Sequence, residues 1–235
     1  MSMLSFGSIA PSSNIMVERV TIAMTRDLPQ VSPHFARFGY FGAADPSPGD
    51  YDWDAMLGAA GLLADAYPGA ICWNGSKGGM IGFDRDRLLC ERITTRYGVP
   101  ACTSTLALDE VLKREGLSRI GFVTPYGDAG NARVLRIWTG EGYTCLPPVG
   151  AGLTDNYSFS TLGNDTVRDM ARRAAEQRPD VIIFYCTNMH GAEVCAELEA
   201  ELGLPVLDSV AIGVWKSLAL LGVPLPAGQW GRLIS

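Results

Sequence analysis

The sequence predicts an α/β protein of two pseudo-symmetric halves, each a parallel sheet clad in helices, with a cleft at the carboxyl ends of the strands. Two observations carry this. Short apolar runs alternate along the chain with segments of helical spacing, the pattern of parallel sheets covered on both faces. The pattern also occurs twice. Pro11 and Pro125 stand 114 positions apart, and so do Cys72 and Cys186. "CERITTRYGVPACTS" (90–104) matches "CAELEAELGLPVLDS" (195–209) at an offset of 105. The change of offset implies nine extra residues after Cys72, within the glycine-rich "SKGGMIGFDRDR", read as an irregular loop that could close over a ligand.

In chain order, "MLSFGSIA", "FARFGYFGA", "GAICWN" and "PACTST" read as strands of the first half. "RIGFVTP", "YTCLPPVG", "DVIIFYCT" and "LPVLDS" read as strands of the second. Helices are expected over 51–66, 84–97, 104–115, 129–141, 160–177 and 191–202. Within 160–177, Val167, Met170, Ala171 and Ala174 fall on one helical face. The expected division is 1–105 plus 210–235 for the first half and 106–209 for the second.

Composition narrows the function. In 235 residues, 47% hydrophobic content supports a substantial core, and the net charge of -6 with no basic stripe argues against nucleic acid or an anionic membrane as partner. The start of the chain has no signal-peptide pattern, and no apolar run reaches the ~18 residues of a membrane span, "SVAIGVWKSLALLGVPL" being broken by Lys216. A soluble, cytoplasmic protein with reduced thiols is expected. The six cysteines show no metal-ligand spacing, and "GSKGG" lacks the order of a phosphate loop, so neither a metal nor a cofactor is expected.

Cys72 and Cys186 each end an apolar run at the ligand edge of a parallel sheet, where a following helix N-terminus favours negative charge. That placement is expected to raise thiolate character, and two thiols facing one ligand can move protons or add and remove a nucleophile. Their polar neighbours are Asn74, Thr187 and Asn188. Cys90, Cys102, Cys145 and Cys195 read as small buried hydrophobes, His34 as structural, and Lys77 as a solvated loop residue unless the loop folds over the cleft. His190, four residues past Cys186, has no counterpart in the first half, and Trp73 reads equally as pocket wall or strand-end packing.

These stretches, with "PSSN" (11–14), "GFDRD" (82–86), "GVPACTSTLAL" (98–108), "RIGFVTPYGDAGN" (119–131), "GLTDN" (152–156) and "YCTN" (185–188), resemble the aspartate/glutamate racemase superfamily. Within it the chain is most similar to maleate cis–trans isomerases and their relatives, the arylmalonate decarboxylases and ectoine-utilisation proteins. The resemblance implies Cys72 as nucleophile and Cys186 as its acid/base partner, with Asn14, Tyr126 and Asn156 on the substrate carboxylates and Asn74, Thr187 and Asn188 in the substrate pocket. It also implies a homodimer or homotetramer and a small carboxylate as substrate. Arylmalonate decarboxylases keep only the second cysteine and have glycine at the first, so Cys72 argues against a simple decarboxylase. The isomerases show Cys-Thr-Ser-Gly-Ser where this chain has Cys72-Trp73-Asn74-Gly75-Ser76, and Cys-Thr-Asn-Leu-Arg where it has "CTNMH". The expected activity is cofactor-independent cis–trans isomerisation of a small dicarboxylate of the maleate type, by thiolate addition, bond rotation and elimination. The alternatives are a two-cysteine racemase of an amino acid or hydantoin-like compound, and a non-catalytic carboxylate-binding protein.

Overall fold

The structure, a computed structural model, describes residues 3–40, 49–226 and 228–234. In the first half, β1 (Leu4–Pro11), β2 (Val31–Phe38), β3 (Ala70–Trp73) and β4 (Ala101–Thr103) form a parallel sheet in the order β2-β1-β3-β4. In the second, β5 (Arg119–Tyr126), β6 (Thr144–Cys145), β7 (Val149–Leu153), β8 (Val181–Phe184) and β9 (Val206–Asp208) form another, ordered β6-β5-β8-β9 with β7 also on β5. The predicted strand "YTCLPPVG" is thus two strands, parted by a proline pair that cannot donate to a ladder. Strand β2 begins before the predicted run and contains Pro33, which an edge strand tolerates. The last residues of that predicted run, 41–43, lie outside the described residues.

The predicted helices appear as α2 (Trp53–Ala64), α4 (Phe83–Tyr97), α5 (Ser104–Glu115), α6 (Asp128–Gly140), α8 (Asn164–Ala175) and α9 (Cys195–Leu202). Asp52 caps α2 and Thr103 caps α5. Left-handed glycines end three of them: Gly98 after α4, Gly116 after α5 and Gly203 after α9. Four helices were not predicted: α1 (Met16–Thr25), α3 (Gly78–Ile81), α7 (Asn156–Phe159) and α10 (Ser209–Leu220). The glycine-rich stretch read as a loop therefore holds α3 and runs into α4 through Gly82. The segment weighed as a membrane span is α10, a buried helix of 12 residues, and no described helix is long and apolar enough to cross a membrane.

The strand registers correct the repeat. β1 meets β3 at Ile9 and Trp73, and β5 meets β8 at Val123 and Phe184. Ile9 and Val123 keep the 114-residue offset of the prolines, whereas Trp73 and Phe184 are 111 apart. Thr103 and Asp208, the next partners outward, are 105 apart. The extra residues of the first half are thus divided, three between β1 and β3 and six between β3 and β4. By this register the counterpart of Cys186 is Gly75, not Cys72.

Helix α10 returns to the first half, packing on β3, β4, α1 and α5. A Cβ at Gly213 would press on Ser104 Oγ and the Asn74 amide. Neither can step aside, because the Ser104 hydroxyl donates to Asn74 Oδ1 at 3.0 Å and Asn74 Nδ2 donates to the Val210 carbonyl at 3.3 Å. Alanine in place of glycine within a helix gains about 1 kcal/mol of propensity, but overpacking costs about 1–3 kcal/mol. Gly213→Ala is expected to be net destabilising, seen as a lower denaturation midpoint; an unchanged or higher midpoint would show that this contact is slack.

Candidate active site

A cavity of about 40 Å³ opens where the two sheets face each other. Its walls are Pro11, Tyr40, Trp73, Gly75, Ser76, Lys77, Met80, Tyr126, Asn156, Phe159, Cys186 and Thr187. Since a water needs roughly 10–15 Å³ on this measure, the space suits a small carboxylate.

Cys186 stands two residues beyond the last residue of β8 and reaches this cavity. The backbone N–H of Asn188 donates to its sulfur at 3.4 Å. Burial pushes the thiol up to about 12, outweighing the Asn188 N–H and the Tyr126 hydroxyl, which pull it down. The expected thiolate character does not arise. No helix starts behind Cys186: a short 3-10 turn occupies Ala192–Val194, and α9 begins only at Cys195.

Cys72 does not line the cavity. It sits on a rung of the sheet, paired with Ser8 and Cys102, and its sulfur lies toward Cys102 and Ser217 beneath α10. The facing Cys102 thiol and burial push its pKa well up. Gly75 occupies the place the first cysteine was expected to fill. A Cβ there would collide with the Trp73 indole, which covers that space.

The expected substrate donors separate into two groups. Tyr126, Asn156 and Thr187 line the cavity. Asn14, Asn74 and Asn188 do not, and their amides are used by the protein. Asn14 Oδ1 caps α1 by accepting from the N–H groups of Met16 and Val17, both at 2.9 Å, while Nδ2 crosses the cleft to the Thr187 carbonyl at 2.8 Å. Asn188 Oδ1 accepts from the Ile15 N–H at 3.0 Å and Nδ2 donates to the Asn156 carbonyl. The Asn156 amide donates to Ser13 Oγ at 2.8 Å. These asparagines join the two halves, as Asn74 joins β3 to α5 and α10. His190 stays outside the cavity, its Nε2 at 3.0 Å from the Ser160 carbonyl just after α7.

Sequence reasoning missed Ser76, whose Oγ lies 3.1 Å from Tyr126 Oη. The corrected offset would have found it, because it places Ser76 opposite Thr187. Burial raises the Tyr126 pKa well above its ordinary value, so the hydroxyl stays a donor. Among the described residues, the backbone N–H groups of Gly75, Ser76, Cys186 and Thr187 meet no protein acceptor. Such N–H groups favour an anion. Lys77 is not a solvated loop residue: it is 7% exposed, and its ammonium lies 5.5 Å from the Tyr40 ring centre and 5.8 Å from that of Tyr51. Among the described lining residues it is the one cation, and none is a carboxylate.

Asn14→Ala removes a helix cap, worth about 0.5–2 kcal/mol. It also strips the buried Thr187 carbonyl of a donor, worth about 1 kcal/mol more. Chemical denaturation is expected to show a loss of about 2 kcal/mol. Unaltered stability with a raised KM would instead make Asn14 a substrate contact.

Residues 73–234 match the profile of a family described as arylmalonate decarboxylase. The arylmalonate decarboxylase of Bordetella bronchiseptica is 30% identical over 142 residues, 58% of this chain and 58% of that protein. The maleate isomerase of Alcaligenes faecalis is 24% identical over 138 residues, 58% of this chain and 54% of that protein. Both alignments thus span little more than half of each curated relative's length. Among solved structures, the maleate isomerase Iso of Pseudomonas putida S16 with maleate superposes with a TM-score of 0.89 at 22% identity, covering 100% of this chain and 98% of that one.

Proposed function

The chain belongs to the arylmalonate decarboxylase family, and we propose that it is a cofactor-independent enzyme that decarboxylates a small malonate-type dicarboxylate, with Cys186 as the proton donor. The observation that carries this reading is the pairing of Cys186 with Gly75 across one cavity. Addition to a double bond needs a thiolate, and a two-base racemase needs two acid/base groups; the cavity offers one thiol, held protonated by burial. A protonated thiol is what a carbanion requires.

In the proposed reaction one carboxylate of the substrate is retained. It sits on the free N–H groups of Gly75, Ser76, Cys186 and Thr187 and on the Ser76 and Tyr126 hydroxyls. The bond to the second carboxylate breaks and carbon dioxide departs. The electron pair passes into the retained carboxylate, giving an enediolate that these neutral donors stabilise without reorganising. Cys186 then delivers its proton to the α-carbon, and its thiolate takes a new proton from water. A cation on the departing carboxylate would hold it back, so Lys77 belongs on the retained negative charge.

Cis–trans isomerisation of a maleate-type diacid is the second reading, favoured by the superposition on a maleate isomerase. It would make Cys186 itself the nucleophile. Incubation of alkyl- and arylmalonates and of maleate in deuterated water, followed by NMR, separates the two. The proposal expects a monoacid with one deuterium at the α-carbon. Conversion of maleate to fumarate with malonates untouched would reject it.

Cys186→Ser is expected to abolish malonate turnover, because a serine hydroxyl is a far weaker acid than a thiol, whereas Cys72→Ser keeps it. Loss of turnover in Cys72→Ser alone would restore a two-cysteine mechanism. Lys77→Met should raise KM for a dicarboxylate roughly ten- to a hundredfold, the worth of a hydrogen bond to a charged group. A monocarboxylate competitor keeps the retained carboxylate and should lose a similar factor; unchanged binding of both would remove Lys77 from charge recognition.

A further inference from the structure

The proposed reaction leaves a fully buried acid of the first half unused. Asp86, in the first turn of α4, is 0% exposed. The Tyr51 hydroxyl donates to its Oδ1 and the Thr103 hydroxyl to its Oδ2. Each hydroxyl in turn accepts from a group that can only donate: the Trp73 indole N–H reaches Tyr51 Oη at 3.0 Å, and the Leu106 N–H reaches Thr103 Oγ1 at 3.1 Å. The direction of every bond is therefore fixed, and both chains end on a carboxylate that accepts twice. A proton on Asp86 would leave one buried hydroxyl hydrogen without an acceptor. Asp86 also fills the space beside Gly78, where a Cβ would collide with it, and so seats the turn that carries Ser76 and Lys77.

We propose that Asp86 is a positioning residue of the site: as a carboxylate it holds, through Tyr51, the Trp73 indole over Gly75, and so fixes the cavity wall that shares the ligand space with Cys186. It touches no ligand itself. This rests on the Cys186 cavity being the active site, but not on which acid is turned over.

The groups facing Asp86 come from several elements. Asp84 and Arg87 share its helix, and Cys90 lies one turn further along. Tyr51 precedes α2, Thr103 ends β4 and Tyr185 follows β8. Lys77 lies over the Tyr51 ring, and Asp50, beside Tyr51, feels Arg85 and Lys77. Burial outweighs the two hydroxyls and Arg87 and lifts Asp86 from 3.8 to about 6. The folded chain therefore binds this proton more tightly than the unfolded chain. Between those two values the stability contributed by Asp86 falls as pH rises, while the donor chain becomes complete. A merely structural carboxylate would not move activity and stability in opposite directions.

The test uses protein labelled with ¹⁵N-tryptophan, the Trp73 indole resonance being assigned by its loss in Trp73→Phe. That resonance is expected to titrate with a midpoint near 6, and to be pH-independent in Asp86→Asn, whose amide cannot accept from both hydroxyls at any pH. In parallel, wild-type kcat/KM is expected to fall about tenfold or more as pH drops through that midpoint, with no matching fall in melting temperature. Asp86→Asn should show the low value throughout. Asp208, a second buried carboxyl lifted to about 7, titrates alike in both proteins and cancels in the comparison. If Asp86→Asn does not fold, Tyr51→Phe cuts the same chain by loss of one oxygen and should also abolish the Trp73 titration. A Trp73 resonance invariant from about pH 5 to 8, or full kcat/KM in Asp86→Asn, overturns the proposal. A titrating Trp73 in a protein that ignores malonates would reject the proposed reaction and leave Asp86 in its role.

Discussion

A side chain on a β-strand points into one helix layer or the other, whereas a residue at or beyond the last rung of the ladder can also face along the sheet edge. The rest of this site depends on that constraint. Cys72 sits on a rung, so its sulfur is committed to the layer under α10 with Cys102 and Ser217. Cys186 sits two residues past Phe184, off the ladder, and faces the cleft. Gly75 sits the same distance past Trp73. Two similar halves thus present unlike groups to one ligand space, a thiol from one side and bare backbone from the other.

The electrostatics follow from the same placement. A thiol gains acidity from a helix N-terminus or a cation, and loses it to burial. Here the chain leaves β8 into turns rather than a helix, so one N–H and one phenol oppose a full desolvation penalty, and burial prevails. Apart from the Lys77 ammonium, the cavity's remaining donors among the described residues are neutral hydroxyls and amides. They suit charge that appears on a carboxylate during reaction, whereas a fixed cation at every oxygen would favour the starting anion as much as the product of bond cleavage.

Much of the architecture was legible in the sequence, because alternation of apolar runs and helical spacing reports the parallel layers directly. The repeat was legible too, but its frame was not. Matching Cys72 to Cys186 on identity alone hid a three-residue insertion between β1 and β3, which only strand register reveals. The asparagines show a second limit. An amide after a strand can serve a ligand or the chain, and nothing in the local sequence separates the two. Asn14 was read as a ligand contact, so its signature as the cap of α1 went unused, although Met16, Val17, Val20 and Met24 carry the helical spacing behind it. Tyr126, by contrast, was reached through the resemblance of its "TPY" motif to the family, and the structure places it in the cavity wall.

Trp73 ties the chemistry of the site to the stability of the fold. Its indole belongs to the apolar cluster of Ile9, Phe38, Met56, Ile71 and Leu89 beneath the first sheet, and the same ring walls the cavity. Any side chain at position 75 has to displace that ring. Truncating it to make room would empty a buried volume, at a cost of about 3–5 kcal/mol, much of the stability of a typical domain. The Tyr51 and Asp86 bonds hold the ring in the one orientation that satisfies its N–H. A second thiol opposite Cys186 is therefore excluded by core packing as well as by the residue at position 75. The one-thiol site and the packing of the first half have to change together.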